Sequence, residues 1–150
     1  MLIRRALSLV LAILWLWPGS LYAQSEALME AYRQGRALYE AGRYEQAIPF
    51  YREALDFGER ELGPDHPTTA TLLDNLAVLY HSRGRYEEAE PLYQRALAIR
   101  EKALGKGHPL VALSLANYAT LLRETGRGAE ANKMEARTKE IRAKHAEENR

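Results

Sequence analysis

Apolar positions along most of the chain recur at helical spacing, and the helical stretches themselves recur. Leu72, Leu73, Leu76, Ala77, Leu79 and Tyr80 mark one buried face of a helix. Arg83-Gly84 ends that stretch, with a glycine suited to a left-handed cap. A second helix is predicted from about Tyr86 to Leu104 through Ala89, Leu92, Tyr93, Ala96, Leu97, Ile99 and Ala103, and Gly105-Lys106-Gly107 closes it. Pro109 stands where the next helix starts, a position that tolerates proline. Pro49 and Pro91 fall about a turn into the second helices. So few backbone bonds are at stake there that a slight bend is expected, not a break.

The longer interval is 42 residues: Gly42-Arg43-Tyr44-Glu45-Gln46-Ala47 returns as Gly84-Arg85-Tyr86-Glu87-Glu88-Ala89, and in worn form as Gly126-Arg127-Gly128-Ala129-Glu130-Ala131. Residues 42–83 laid on 84–125 without gaps give 19 identities, among them Pro49/Pro91, Tyr51/Tyr93, His66/His108 and Asn75/Asn117. Each unit therefore reads as a helix pair. Gly35/Ala77/Ala119 and Ala47/Ala89/Ala131 mark places where two helices approach closely. Tyr44/Tyr86 and Tyr51/Tyr93 supply the bulk between layers. One helix pair cannot bury both of its faces, so neighbouring pairs must stack.

Ala77, Tyr80, Gly84, Tyr86, Ala89, Tyr93 and Ala96 carry a pattern that resembles the tetratricopeptide repeat. The 42-residue length and the stretches 73–80, 86–99 and 101–109 are similar to the kinesin-light-chain type of that repeat. The resemblance implies an all-α fold, an antiparallel helix-pair solenoid wound as a right-handed superhelix, with about three repeats and a C-terminal capping helix. The repeats fall at about 27–68, 69–110 and 111–145 in a domain spanning 24–145, followed by a polar tail, 146–150. Unit one departs from the pattern with Arg33 and Gln34 where Asn75 and Leu76 stand in unit two. Unit three carries Gly128, Glu135 and Thr138 where Tyr, Tyr and Ala are expected.

The N-terminus has a different character. Arg4 and Arg5 precede an uncharged apolar run from Ala6 to Trp17. Pro18-Gly19 breaks the run, and Ala23 offers a cleavage point that would leave Gln24 first. This is the layout of a secretory signal peptide over 1–23, and the apolar run is short for a bilayer span. An uncleaved membrane anchor is the alternative. Either reading takes the rest of the chain out of the cytoplasm, to the periplasm or the medium if cleaved. The charge then changes meaning. Of 21 Lys+Arg, losing Arg4 and Arg5 leaves 19 against 20 Asp+Glu, so a formal +1 becomes −1.

The chain has no cysteine, which removes disulfides, thiolate metal sites and a Cys nucleophile. His66 and His108 are repeat-equivalent, each before a proline in a turn, without neighbouring ligands at zinc spacing, and are read as structural. His81 and His145 stand alone. Ser82, Ser114 and Thr71 lack a His-plus-acid constellation, and there is no phosphate-binding glycine loop, so neither catalysis nor a cofactor nor a metal is expected. Lys133, Arg137, Lys139, Arg142 and Lys144 are interleaved with Glu130, Glu135, Glu140 and Glu147. Pairs four apart, Glu135–Lys139 and Glu140–Lys144, predict an ion-paired solvated face and no nucleic-acid partner.

The resemblance assigns the first helix of each unit to a concave groove that contacts extended peptides or partner segments, with Asn75 and Asn117 at the position that grips a peptide backbone. A primary amide presents both a donor and an acceptor to a main chain. Thr71, Val78, Leu113, Thr120, Arg33 and Arg36 complete the candidate lining, with Asp74, Tyr32 and Glu124 on the same side. Arg33 and Arg36 on one helical face suggest an acidic or C-terminal carboxylate ligand. The expected function is an exported protein-interaction module. The alternative is a structural, self-assembling envelope protein or a membrane-anchored scaffold subunit. Self-association would then run through Leu28, Met29, Tyr32 and Leu38 of the first helix.

Overall fold

The computed structural model describes residue 26 and residues 28–149; the expected signal segment, 1–23, lies outside the described residues. Among the described residues six helices follow one another: α1 (28–40), α2 (Tyr44–Glu61), α3 (Pro67–Ser82), α4 (Tyr86–Leu104), α5 (Pro109–Glu124) and α6 (Gly128–Glu148). Among the described residues there is no strand, and no helix is long and apolar enough to cross a membrane. Each consecutive pair from α2 to α6 packs together, and α3 also touches α5. The chain is thus three helix pairs stacked side by side, as the 42-residue interval requires. α6 runs on through Glu148, into the stretch expected to be a polar tail.

The repeated residues close the helices in the same way each time. Gly84 takes φ +70°, its N–H donates to the His81 carbonyl (2.9 Å), and the Arg85 N–H donates to the Tyr80 carbonyl (2.9 Å). These two bonds satisfy carbonyls that the helix end would leave orphaned. Gly42 and Gly126 repeat the conformation, with Arg43 bonding Leu38 and Arg127 bonding Leu122. The structural reading of His66 and His108 is given a physical cause. Each is the N-cap of its helix, and each Nδ1 accepts a bond of 3.1 Å, from the N–H of Thr68 and of Leu110 respectively. Pro67 and Pro109 follow inside the first turn. Pro49 and Pro91 sit inside α2 and α4 without ending them.

The small residues mark the closest approaches. Ala47, Ala77, Ala89, Ala119 and Ala131 are buried, and a Cβ added to Gly35 would stand 2.9 Å from the Tyr51 ring. Leu73, Leu79, Leu121 and Leu122 are sealed from water, each adding about 1.5–3 kcal/mol by burial. Tyr51 and Tyr93 fill between helices. Burial pushes the Tyr51 phenol up to about 12 and the Tyr93 phenol higher still.

α6 is held by a narrow stripe, Ala131, Thr138 and Ile141, with Met134 half-buried beside it. Thr138 occupies an alanine position because its hydroxyl is absorbed locally, donating to the Met134 carbonyl at 2.9 Å. The expected pairs along α6 are not formed. Glu135 accepts from Arg123 of α5 at 2.7 Å instead of from Lys139. Among the described residues Glu140 and Lys144 take part in no ion pair. Arg137 reaches across to Glu101 of α4. These contacts tie α6 to α5 and α4, which a pair along its own surface would not do.

One boundary between layers is polar where its counterpart is apolar. Between units two and three, Arg100 of α4 is buried and bonds Asp74 of α3 and Ser114 of α5 (2.6 Å), with Thr71 accepting at 3.2 Å. One interval earlier the equivalent positions are Gly58, Tyr32 and Leu72. There Leu72 fills the space, its Cδ1 lying 2.7 Å from where a Gly58 side chain would begin.

Candidate partner-binding face

The first helices α1, α3 and α5 carry all eight candidate residues, and the structure gives them unequal surroundings. Asn75 is half-buried on α3 and donates from Nδ2 to the Tyr32 hydroxyl of α1 at 3.1 Å. Tyr32 packs edge-on against Tyr51 with ring centroids 5.5 Å apart, which fixes the hydroxyl that Asn75 meets. Asn117 makes no side-chain hydrogen bond among the described residues. The residue in the matching place before it is Asp74, already engaged by Arg100 and Ser114. Val78 packs against the core, Leu113 is exposed, and Thr120 donates back to the Ala116 carbonyl (3.1 Å). Thr71 is exposed, and its hydroxyl accepts from buried Arg100.

Two sequence expectations change here. Asp74 does not line an open face. It is buried, where desolvation pushes its carboxyl up while Arg100 and Ser114 pull against that shift. Arg33 pairs with Glu30 and Arg36 pairs with Glu40 (2.8 Å), both within α1. The two cations are therefore offset by carboxylates of their own helix. Of the residues considered for self-association, Leu28, Tyr32 and Leu38 pack against the core, and Met29 stands exposed.

A family profile described as the tetratricopeptide repeat matches residues 27–102 and again residues 74–144. This chain belongs to the tetratricopeptide repeat family. Its fold is similar to that of BtubC (BKLC) from P. vanneervenii, at 26% identity and a TM-score of 0.73, covering 79% of this chain and 48% of that one. It is similar also to a putative kinesin light chain from Podosopora anserina with nearly identical TPR-like repeats, at 24% identity and a TM-score of 0.71, covering 79% of this chain and 56% of that one. The chain spans about half the length of these two proteins. The second TPR of Spaghetti (RPAP3), bound to the HSP90 peptide SRMEEVD, matches at 20% identity and a TM-score of 0.60, covering 80% of this chain and 98% of that one. No curated protein sequence matches the chain.

Sequence reasoning missed one cluster of this tetratricopeptide repeat array. His81 does not stand alone. Its Nε2 lies 2.8 Å from Glu124, its Nδ1 lies 3.4 Å from the Tyr93 hydroxyl, and Tyr86 donates to the same Glu124 carboxylate at 3.0 Å. The bond toward His81, then that from Tyr86, holds the Glu124 carboxyl below its ordinary range. The cluster links α3, α4 and α5. A signal for it was present, because His81 and Glu124 are 43 positions apart, the same separation as Tyr32 and Asn75. Among the described residues no three His, Asp or Glu side chains converge as a metal site would need.

Proposed function

We propose that this protein holds an extended segment of a protein partner along the face made by α1, α3 and α5, and that it does so outside the cytoplasm. The tetratricopeptide repeat fold is a protein-interaction scaffold, and that part follows from the family. The observation that carries the finer reading is Asn75. Its amide is oriented by Tyr32 at 3.1 Å, and its Oδ1 meets no donor among the described residues, so an acceptor is presented to an incoming main-chain N–H. The HSP90 peptide bound to the Spaghetti repeat domain is a precedent for segment binding on this fold. The reading is of a binding protein and not of a catalyst, in keeping with the scaffold character of the family.

Crosslinking of the protein in its native cell, followed by mass spectrometry, identifies the partner. Asn75→Ala with Asn117→Ala is then expected to weaken its capture at unchanged helicity; capture at wild-type level counts against the reading. Export rests on the basic start, the apolar run Ala6–Trp17 and Ala23. Protein recovered from the cell envelope should begin at Gln24. A chain beginning at Met1 favours the anchor.

A further inference from the structure

Among the described residues the face of first helices carries a concavity lined almost wholly by carbon. Between the N-terminal parts of α1 and α3 lies a cleft of about 180 Å³ bordered by Leu28, Met29, Tyr32, Thr68, Thr71 and Leu72. None of these six side chains carries a charge, and the cations of α1, Arg33 and Arg36, are already paired with Glu30 and Glu40. A charged side chain entering the cleft would shed water and meet no unpaired counter-charge, since Arg100 behind Thr71 is already bound to Asp74. An apolar group would lose nothing, and a cavity of ~150 Å³ is enough for a benzene-sized guest.

The wall of the cleft is also where the polar contact lies. The Tyr32 hydroxyl accepts from Asn75 Nδ2 and keeps its own proton to donate, while Asn75 Oδ1 remains an acceptor. One peptide group needs one donor for its carbonyl and one acceptor for its N–H. Tyr32 and Asn75 together supply both, directly beside the cleft.

We propose that this cleft is an anchor pocket for a single bulky aliphatic or aromatic side chain of an uncharged, extended partner segment, whose adjoining peptide group is held by Tyr32 and Asn75. The proposal rests on the segment-binding reading and names the chemistry that reading takes. It excludes an acidic tail as the preferred ligand at unit one, the ligand that Arg33 and Arg36 suggested from sequence. Met29, exposed at 61%, stands at the rim, where a flexible thioether adapts to guests of different shape.

The test uses the full chain, labelled with nitrogen-15, and capped peptides acetyl-Gly-Ser-Thr-X-Thr-Ser-Gly-amide with X as Leu, Phe, Gly or Asp. The Leu and Phe peptides should shift the amide resonances of 28–32 and 68–72 and bind about tenfold more tightly than the Gly and Asp peptides. Thr68→Phe, which fills the rim, should remove that preference. Met29→Glu, a surface change that leaves the core alone, should do the same at an unchanged melting temperature. Equal shifts around Asn75 and Asn117 by all four peptides would overturn the anchor and leave segment binding standing. No shift by any peptide at millimolar concentration would overturn both. Tightest binding by the Asp peptide would overturn the anchor. So would concentration-dependent shifts at 28–32 without peptide, which assign the cleft to a second copy, or contacts from residues 1–25, which assign it to the chain itself.

Discussion

Asn75 and Tyr32 are joined by a 3.1 Å hydrogen bond across the first layer boundary, while Asn117, one interval further on, has no such partner among the described residues. Two asparagines that the repeat makes equivalent are therefore not equivalent in their surroundings. One is pre-oriented by the neighbouring layer. The other has Asp74 in the corresponding place, a carboxylate committed to Arg100 and Ser114.

Tyr32→Phe removes the hydroxyl and leaves the ring against Tyr51. The expected loss is about 1 kcal/mol of stability. A double-mutant cycle with Asn75→Ala should give a coupling of about 0.5–1 kcal/mol in urea denaturation. The same Tyr32→Phe change paired with Asn117→Ala should be additive.

Arg100→Ala is expected to cost about 3–5 kcal/mol, because it strands the Asp74 carboxylate in the interior. Replacing both members together, Arg100→Met with Asp74→Leu, should recover most of that loss. Chemical denaturation of the two variants and the wild type checks it. A double variant as unstable as the single one would show that packing, and not charge, sets the cost.

Glycines at different repeat positions should respond with opposite signs. Gly84 holds φ +70°, so Gly84→Ala forces a left-handed alanine and should cost about 1–2 kcal/mol. Gly128 opens α6 at negative φ, with nothing near a new Cβ. Gly128→Ala should therefore stabilise by about 0.4–1 kcal/mol, chiefly by restricting the unfolded chain. Thermal melts of both variants separate the two cases.

Acid should weaken the contacts that Glu90 and Glu124 make between layers. The hydroxyl of Tyr118 donates to Glu90 at 2.7 Å, and with Arg127 it holds that carboxyl below its ordinary value; His81 and Tyr86 do the same for Glu124. A carboxylate whose pKa is depressed on folding contributes stability that is complete above its unfolded value, about 4.3, and is lost as pH falls through the folded value. Melting temperature should thus be level at neutral pH and fall below about pH 4. Tyr118→Phe should flatten part of that fall.

The caps offer a conservative control. His108→Ala should cost about 1 kcal/mol by freeing the Leu110 N–H, and His108→Asn should restore most of it, since asparagine accepts the same bond. Denaturant midpoints of the two variants give the comparison.

Helices, caps and layer boundaries were legible because each is written locally and then written again. Gly84 ends a helix by its own conformation, so reading along the chain suffices there; His108 was legible as a turn residue before proline, and the bond from the Leu110 N–H makes it a cap. Ala77 and Ala119 announced close approach by size alone. The partners of side chains were less legible. Glu135 four positions before Lys139 satisfies a rule for an isolated helix, but Arg123 on α5 brings a forked donor within 2.7 Å and wins. Likewise Asp74 reads as an outward residue by its place on α3, and only Arg100, 26 positions later, turns it inward. What decides such cases is separation across layers, and the period itself predicts the useful separations. Had complementary residues 43 apart been sought, both Tyr32–Asn75 and His81–Glu124 would have surfaced.

The exchange of Gly58, Tyr32 and Leu72 for Arg100, Asp74 and Ser114 makes the layers distinguishable to one another. Units that share a helix-pair design risk docking one place out of order, within a chain or between two chains, during folding. Here such a slip sets Arg100, still paired with Asp74 of its own unit, against the leucine that belongs over Gly58, and takes away the Ser114 hydroxyl that completes the buried pair. The correct order is the one that brings Ser114 to both members of the pair. A protein built by copying one module thus carries, at a single boundary, the means by which its copies tell which neighbour is theirs.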